Sequence, residues 1–310
     1  MMRLGIVDCD TSHVLAFSQR LHHKGVPQEQ WIDGARIVAA CPGTSAIMAA
    51  ETLEGYVRAL REEHGVELVE RPADLIGKVD AVLVESNEGA RHAPHAVPFL
   101  EQGIPVFVDK PFATSIADAR QMLEAAQRGG TFVWSASSLR FTREIQDVQR
   151  QQVELGAVVG VDAYSPATLH PRNPGLTHYG VHGVEMLYAL LGPGCQTVHC
   201  ISTEGTDVVV GRWADGRLGA MRGLRQGTHD YGFTAFCERA VVSTRIDASA
   251  IYYELLKRIV GAFQTGQAPL GPEDLIEPVS FMEAALQSAE AGGAEVPLQG
   301  GEATGTGRHG

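Results

Sequence analysis

Residues Gly5 to His13 read GIVDCDTSH, and their reading decides the fold. The run Leu4-Gly5-Ile6-Val7 is apolar and β-branched, which predicts a strand. It breaks off at Asp8, and Asp10-Thr11-Ser12 supplies the residue types that cap a helix, so the unit is strand, tight turn, helix. The pattern then repeats. ARIVAAC, VELVE, DAVLVES, IPVFVD and TFVWSA are short strand-like runs separated by segments of helical period. Ala81-Val82-Leu83-Val84 and Val106-Phe107-Val108 show no polar alternation, as expected of strands covered on both faces. A parallel sheet with helices on both sides follows. In IADARQMLEAAQRGG the apolar residues fall at helical spacing, and Gly129-Gly130 predicts the stop.

After about residue 135 the texture changes. A helical stretch runs to Leu155, followed by a strand VVGVDAYS and a helix HYGVHGVEMLYALLG. Strand-like runs then extend from Thr197 to Arg245, punctuated by Gly and Asp-Gly turns. RWADGRLGAMRG predicts a hairpin at Asp215-Gly216. This half reads as an α+β unit with a mostly antiparallel sheet. Two helices close the chain and are expected to pack back on the body, with Pro278 kinking or starting the second.

The composition narrows the function. The chain has 310 residues, 44% hydrophobic and 20% charged, as in ordinary globular proteins, and no apolar run is long enough to span a bilayer. A formal net charge of −12 without a basic cluster opposes binding to a phosphate backbone, so neither nucleic acid nor membrane is an expected partner. Cys9, Cys41, Cys195, Cys200 and Cys237 form no C-x-x-C pair, which predicts reduced thiols and a cytoplasmic setting. No export signal is visible at the N-terminus.

Two stretches carry candidate chemistry. VFVDKPFA places Lys110 at the carboxyl edge of the parallel sheet, where open α/β sheets bind ligands. THYGVHGVEMLYALLG has His178 and His182 four apart, on one face if both are helical, with Glu185 a turn further on. Histidine exchanges protons near neutrality. The H-x-x-x-H pair lacks an evident third ligand, so no metal site is assigned.

Together these pieces resemble the glucose-fructose oxidoreductase, inositol dehydrogenase and MocA family, abbreviated Gfo/Idh/MocA. The family's Glu-Lys-Pro after the fifth strand corresponds to Asp109-Lys110-Pro111, its upstream histidine to His92, and its downstream Arg-Phe to Arg140-Phe141. Its Asp-x-Gly-x-His before a helix ending Leu-Gly corresponds to His178-x-Gly180-x-His182 and Leu191-Gly192. The resemblance covers nearly the whole chain. It implies a Rossmann-like domain over 1–135, a substrate and oligomerisation domain over 136–299, and a disordered tail over 300–310.

It also implies an NAD- or NADP-dependent oxidoreductase moving hydride between a nicotinamide cofactor and a sugar, polyol or related hydroxy compound. By the same resemblance, Lys110 steadies the substrate oxygen, His182 moves the hydroxyl proton, and His178 stands where a carboxylate is usual. The cofactor is expected near Asp8, Asp10, Thr11, Ser12 and His13 in the first turn. Further contacts are expected from Ser86, Asn87 and His92, and from Asp109 and Lys110. A homo-oligomer, dimer or tetramer, is implied as well.

The departures leave alternatives open. Asp8, Asp10 and His13 stand at the positions of the G-x-G-x-x-G glycines. A capping Asp10 would fill the anion site that a phosphate uses, and Asp8, Asp10 and Glu85 together suit a cation or a polyol. If a dinucleotide binds, Asp10 must point elsewhere and Thr11 and Ser12 must donate instead. No carboxylate follows the second strand at CPGTS, which leaves Thr44 and Ser45 to hold a phosphorylated ribose, with no arginine beside them. The same fold could therefore serve a lyase or isomerase of a sugar derivative, or a non-catalytic binding protein that has lost the dinucleotide.

Overall fold

In the computed structural model, which describes residues 1–299, the first half of the chain builds a six-stranded sheet. Its strands are β1 (Met2–Val7), β2 (Ala35–Cys41), β3 (Glu67–Leu68), β4 (Ala81–Val84), β5 (Val106–Val108) and β6 (Val133–Ser135). Their order is β3-β2-β1-β4-β5-β6 and every pairing is parallel. The helices α1 (His13–Leu21), α2 (Ala50–Glu62), α3 (His92–Leu100) and α4 (Ile116–Arg128) connect them. All four residues of β4 are fully buried, the reason for their missing polar alternation. Ser115 caps α4 by accepting the Asp118 amide, and Gly129 ends it, as the sequence predicts. The strand order reverses between β1 and β4, and open α/β sheets bind ligands at such a crevice.

The second half begins with α5 (Arg143–Arg150) and α6 (Gln152–Leu155). Then come β7 (Val158–Pro166), α7 (Val181–Leu191), β8 (Cys195–Ser202), β9 (Thr206–Trp213), β10 (Leu218–Leu224), β11 (Gly232–Cys237) and β12 (Val241–Arg245). These strands, with a terminal β13 (Val296–Pro297), form a sheet in the order β12-β11-β7-β10-β9-β8-β13. Only β7 and β10 pair in parallel. The β9–β10 hairpin turns at Asp215-Gly216, where Gly216 takes φ +88°. One face of this sheet is covered by α7; the other carries the exposed Val159, Ile201, Leu218, Phe236 and Val241.

The last helices are α8 (Ile251–Thr265) and α9 (Pro272–Glu290). Leu255, Ile259 and Phe263 of α8 join the core of the parallel sheet. The helix α9 contributes Leu275 and Val279 to that core and Phe281, Met282 and Ala285 to the core of the second sheet, so it ties the two together. Each such buried side chain stabilises by about 1.5–3 kcal/mol. Pro278 does not start α9. It lies inside the helix, which begins at Pro272, where a missing N–H costs nothing. Among the described residues no helix is long and apolar enough to cross a membrane. The expected tail, 300–310, lies outside the described residues.

Candidate functional site

Asp8, directly after β1, sits at φ +63°, a left-handed conformation usual for glycine and tolerated by Asp. Its buried carboxylate accepts hydrogen bonds from Ser86 Oγ and Arg91 Nη2 (3.0 Å), and His95 Nε2 lies 3.2 Å away. A Cβ on Gly43 would come within 1.9 Å of Asp8 Oδ1, so that glycine makes room for the carboxylate. Asp10 does not cap α1. Its carboxylate turns sideways, accepting Ser45 Oγ–H at 2.6 Å and the Asn87 amide at 2.9 Å. Burial raises the pKa of Asp10, against the hydrogen bonds from Ser45 and Asn87.

These bonds correct two further expectations. Ser45 Oγ already donates to Asp10 and accepts the Ile47 and Met48 amides, so it is not free to hold a ribose phosphate. An arginine does stand beside the β2 loop: Arg91 donates to the Thr44 carbonyl. It is distant in sequence, and only the crossing at β1 and β4 brings it there.

The turn ends at His13, the first residue of α1. Its Nδ1 lies 3.0 Å from Asp109 Oδ1, after β5, and 3.8 Å from Glu85 Oε2, after β4. Both acids are fully buried. Burial drives the pKa of Glu85 well up, with Asp109 adding to the rise. For Asp109 burial pushes the same way, but the charges of His13 and Lys110 outweigh it and hold the carboxyl below its usual range.

Lys110 and His182 line a single cavity of about 290 Å³ between the two sheets, together with Thr11, Ser12, His13 and Asn87. His182 lies in the first turn of α7, with Nδ1 2.7 Å from Ser137 Oγ, which also accepts the Leu139 amide. That leaves Nε2 as the ring nitrogen without a protein partner. Tyr179 and Tyr231 pack edge-on against the ring at 4.9 and 5.8 Å, and their hydroxyls are joined at 3.1 Å. Burial and the nearby positive charges of Lys110 and His13 lower the pKa of His182 well below that of an ordinary histidine.

Other expected residues take different places. His178 precedes α7, after a turn at Gly175–Thr177, so it does not share a helical face with His182. It is half-buried beside Asn173 and His170, its pKa lowered to about 4 by burial first and then by Lys110. His92 does not reach the cavity. Its ring spans the Ser86 carbonyl (2.7 Å) and the Pro111 carbonyl (2.8 Å), linking the loop after β4 to the Lys110 turn. Glu185 pairs with Arg140 at 3.3 Å, and Arg140 with Asp274 at 3.1 Å. Ser137, Tyr179 and Tyr231 stand in no motif that marks them in the sequence, and they come from three separate segments.

A sequence model described as an oxidoreductase family, NAD-binding Rossmann fold, Gfo/Idh/MocA, matches residues 33–137. Over that stretch the chain is similar to the Gfo/Idh/MocA family. Inositol 2-dehydrogenase 3 of Saccharopolyspora erythraea is 35% identical over 146 residues, 46% of this chain and 39% of that protein. Myo-inositol 2-dehydrogenase of Thermotoga maritima is 25% identical over 59% of this chain and 61% of its own length. The matches thus span 39–61% of these two curated relatives. Myo-inositol 2-dehydrogenase from Lactobacillus plantarum shares the fold at TM-score 0.79 and 16% identity, covering 96% of this chain and 99% of its own. Scyllo-inositol dehydrogenase from Lactobacillus casei, solved with NAD(H) and scyllo-inositol, does so at TM-score 0.77 and 16% identity, over the same shares.

The matched NAD-binding stretch begins at residue 33, after the first turn, whose geometry therefore has to be weighed by itself. The Ser12 side chain does not cap α1, and the His13 and Val14 amides make only long bonds of 3.4 Å, to Thr11 Oγ1 and to the Thr11 carbonyl, so an anion could compete for this end of the helix. Thr11 and Ser12 put their side chains in the cavity wall, while Asp10 is held aside by Ser45 and Asn87.

Proposed function

We propose that this chain is a nicotinamide-dependent oxidoreductase acting on a secondary hydroxyl of a small polyol or sugar. The observation that carries the reading is the convergence of Lys110 and His182 on one small, polar-lined cavity at the carboxyl edge of the Rossmann sheet. Its volume, about 290 Å³, is at the lower end for small-molecule sites.

Thr11, Ser12, Asn87 and Lys110 would hold the cofactor, whose nicotinamide ring supplies a hydride acceptor or donor. The chain's own part is proton movement and charge. A carbinol carbon gives up hydride readily only as its oxygen loses a proton, and Nε2 of His182 is the atom placed to take it. The Lys110 ammonium stabilises the negative charge that gathers on that oxygen. Ser137 fixes the imidazole through Nδ1 in place of the carboxylate usual in the family. With no carboxylate beside it, His182 is a weak base, and the burden of stabilising the alkoxide falls on Lys110. The related inositol dehydrogenases support a polyol as substrate. Five unpaired, buried cysteines support a reducing compartment.

The test is reduction of NAD or NADP, followed by absorbance, with inositols and related polyols as substrates. Lys110→Ala and His182→Ala should each lose at least about a hundredfold in kcat while keeping the wild-type melting temperature. Wild-type rates in either variant would remove that residue from the reaction.

A further inference from the structure

We infer that His13, Glu85 and Asp109 form a binding site for one divalent transition-metal ion, a role that the oxidoreductase reading does not require. Glu85 and Asp109 directly follow β4 and β5, His13 opens α1 after the turn that follows β1, and their donor atoms all lie within 4.8 Å of one another. An ion bonded at about 2.0–2.2 Å to each of several nitrogen and oxygen donors sets spacings of this order between them. The observed separations of 3.0 and 3.8 Å from His13 Nδ1 need little adjustment.

Hydrogen bonding does not account for the cluster. Nδ1 of His13, 3.0 Å from Asp109 Oδ1, offers an ion pair only when the ring carries a second proton, and it has no hydrogen bond of good geometry. Both oxygens of Glu85 and Oδ2 of Asp109 also lack any partner, in side chains with 0% exposure. Asp109 Oδ1 accepts the Lys110 backbone amide at 2.7 Å, but among the described residues no lysine or arginine side-chain nitrogen comes within 4 Å of either carboxylate. Burying unpartnered carboxylates is costly, and a cation bound between them removes that cost. One imidazole and two carboxylates suit Zn²⁺, Mn²⁺ or Co²⁺; Ca²⁺ needs six to eight oxygens, more than the cluster offers. His13 also lines the cavity, which gives the ion a path to the site.

The experiment uses the full chain, stripped with a chelator and then titrated with Zn²⁺ and, separately, with Co²⁺. Metal per chain, the visible absorption of Co²⁺ and the melting temperature are read. One ion per chain is expected, with a raised melting temperature. Glu85→Gln should weaken binding by at least about a hundredfold, since loss of even an outer-shell partner of a metal ligand costs ten- to a hundredfold. His199→Ala, which removes an exposed histidine paired with Glu295, should bind as wild type does. Should Glu85→Gln not fold, His13→Gln serves in its place. Absence of stoichiometric metal in the wild type, or unchanged binding in the folded variant, would overturn the inference. Because no readout involves hydride transfer, its failure and that of the oxidoreductase reading are distinguishable.

Discussion

At the scale of single residues, the proposed reaction turns on a histidine, His182, whose basicity is reduced by its surroundings. Burial first, then the positive charges of Lys110 and His13, lower the pKa of His182, and only its neutral form accepts a proton. The acid limb of kcat/KM should therefore lie below the ordinary histidine range, with activity retained where a solvent-exposed histidine would already be charged. An acid limb at or above the ordinary value would contradict this. Ser137→Ala removes the bond from the Leu139 amide and the one to His182; the latter is worth about 1 kcal/mol, so kcat should fall roughly fivefold, while KM stays close to wild type. Asp10→Asn can keep the bond from the Asn87 amide but loses the one from Ser45 Oγ, whose lone pairs already take the Ile47 and Met48 amides, and it removes a charge. It should cost about 1 kcal/mol in urea unfolding and tighten NADH binding in a fluorescence titration. Asp10→Gly breaks both bonds and should cost about 1–3 kcal/mol in urea unfolding.

At the scale of elements, the first turn shows both what the sequence reveals and what it hides. Strand, turn and helix were all legible in GIVDCDTSH, because an apolar β-branched run and its break act locally, although Asp10 and Ser12, read as caps, do not cap α1 through their side chains. The direction of the Asp10 side chain was not legible. Its partners Ser45 and Asn87 belong to the loops after β2 and β4 and meet it only because the sheet orders those strands around β1. His178 was misplaced for a similar reason: the spacing to His182 is helical, but the turn at Gly175–Thr177 and Gly180 delay the start of α7.

The end of α1 gives a prediction about stability. His22 is buried there against the ring of His64, 5.2 Å away, and burial lowers its pKa from 6.5 to about 4. Between those values the unfolded chain binds more protons than the folded one. The contribution of His22 is therefore complete above pH 6.5 and is lost as the pH falls toward 4. Urea unfolding across this range should show declining stability, with a smaller slope in His22→Gln. An unchanged slope would remove His22 from the account.

For the molecule as a whole, the parallel sheet and the mostly antiparallel sheet were readable from texture: continuous apolar strands in one half, shorter strands with Gly and Asp-Gly turns in the other. The pairing of Lys110 with His182 was suggested by resemblance, while their common cavity arises from the way α9 joins the two cores. The outer face of the second sheet carries a cross-strand row in which Val241 faces Phe236 and both Phe236 and Leu218 face Gly160. With Ile201 and Val159 exposed as well, this face suits a second copy of the chain. Sedimentation should give a dimer or tetramer, and Phe236→Lys combined with Leu218→Lys should shift it to monomer. A monomeric wild type would refute the assignment.

The most direct measurement is a crystal structure of the protein soaked with NADH. The nicotinamide ring should lie in the cavity between Lys110 Nζ and His182 Nε2, with the pyrophosphate at the Thr11–Ser12 end of α1. A dinucleotide bound elsewhere, or a cavity that stays free of it at saturating concentration, would contradict the account.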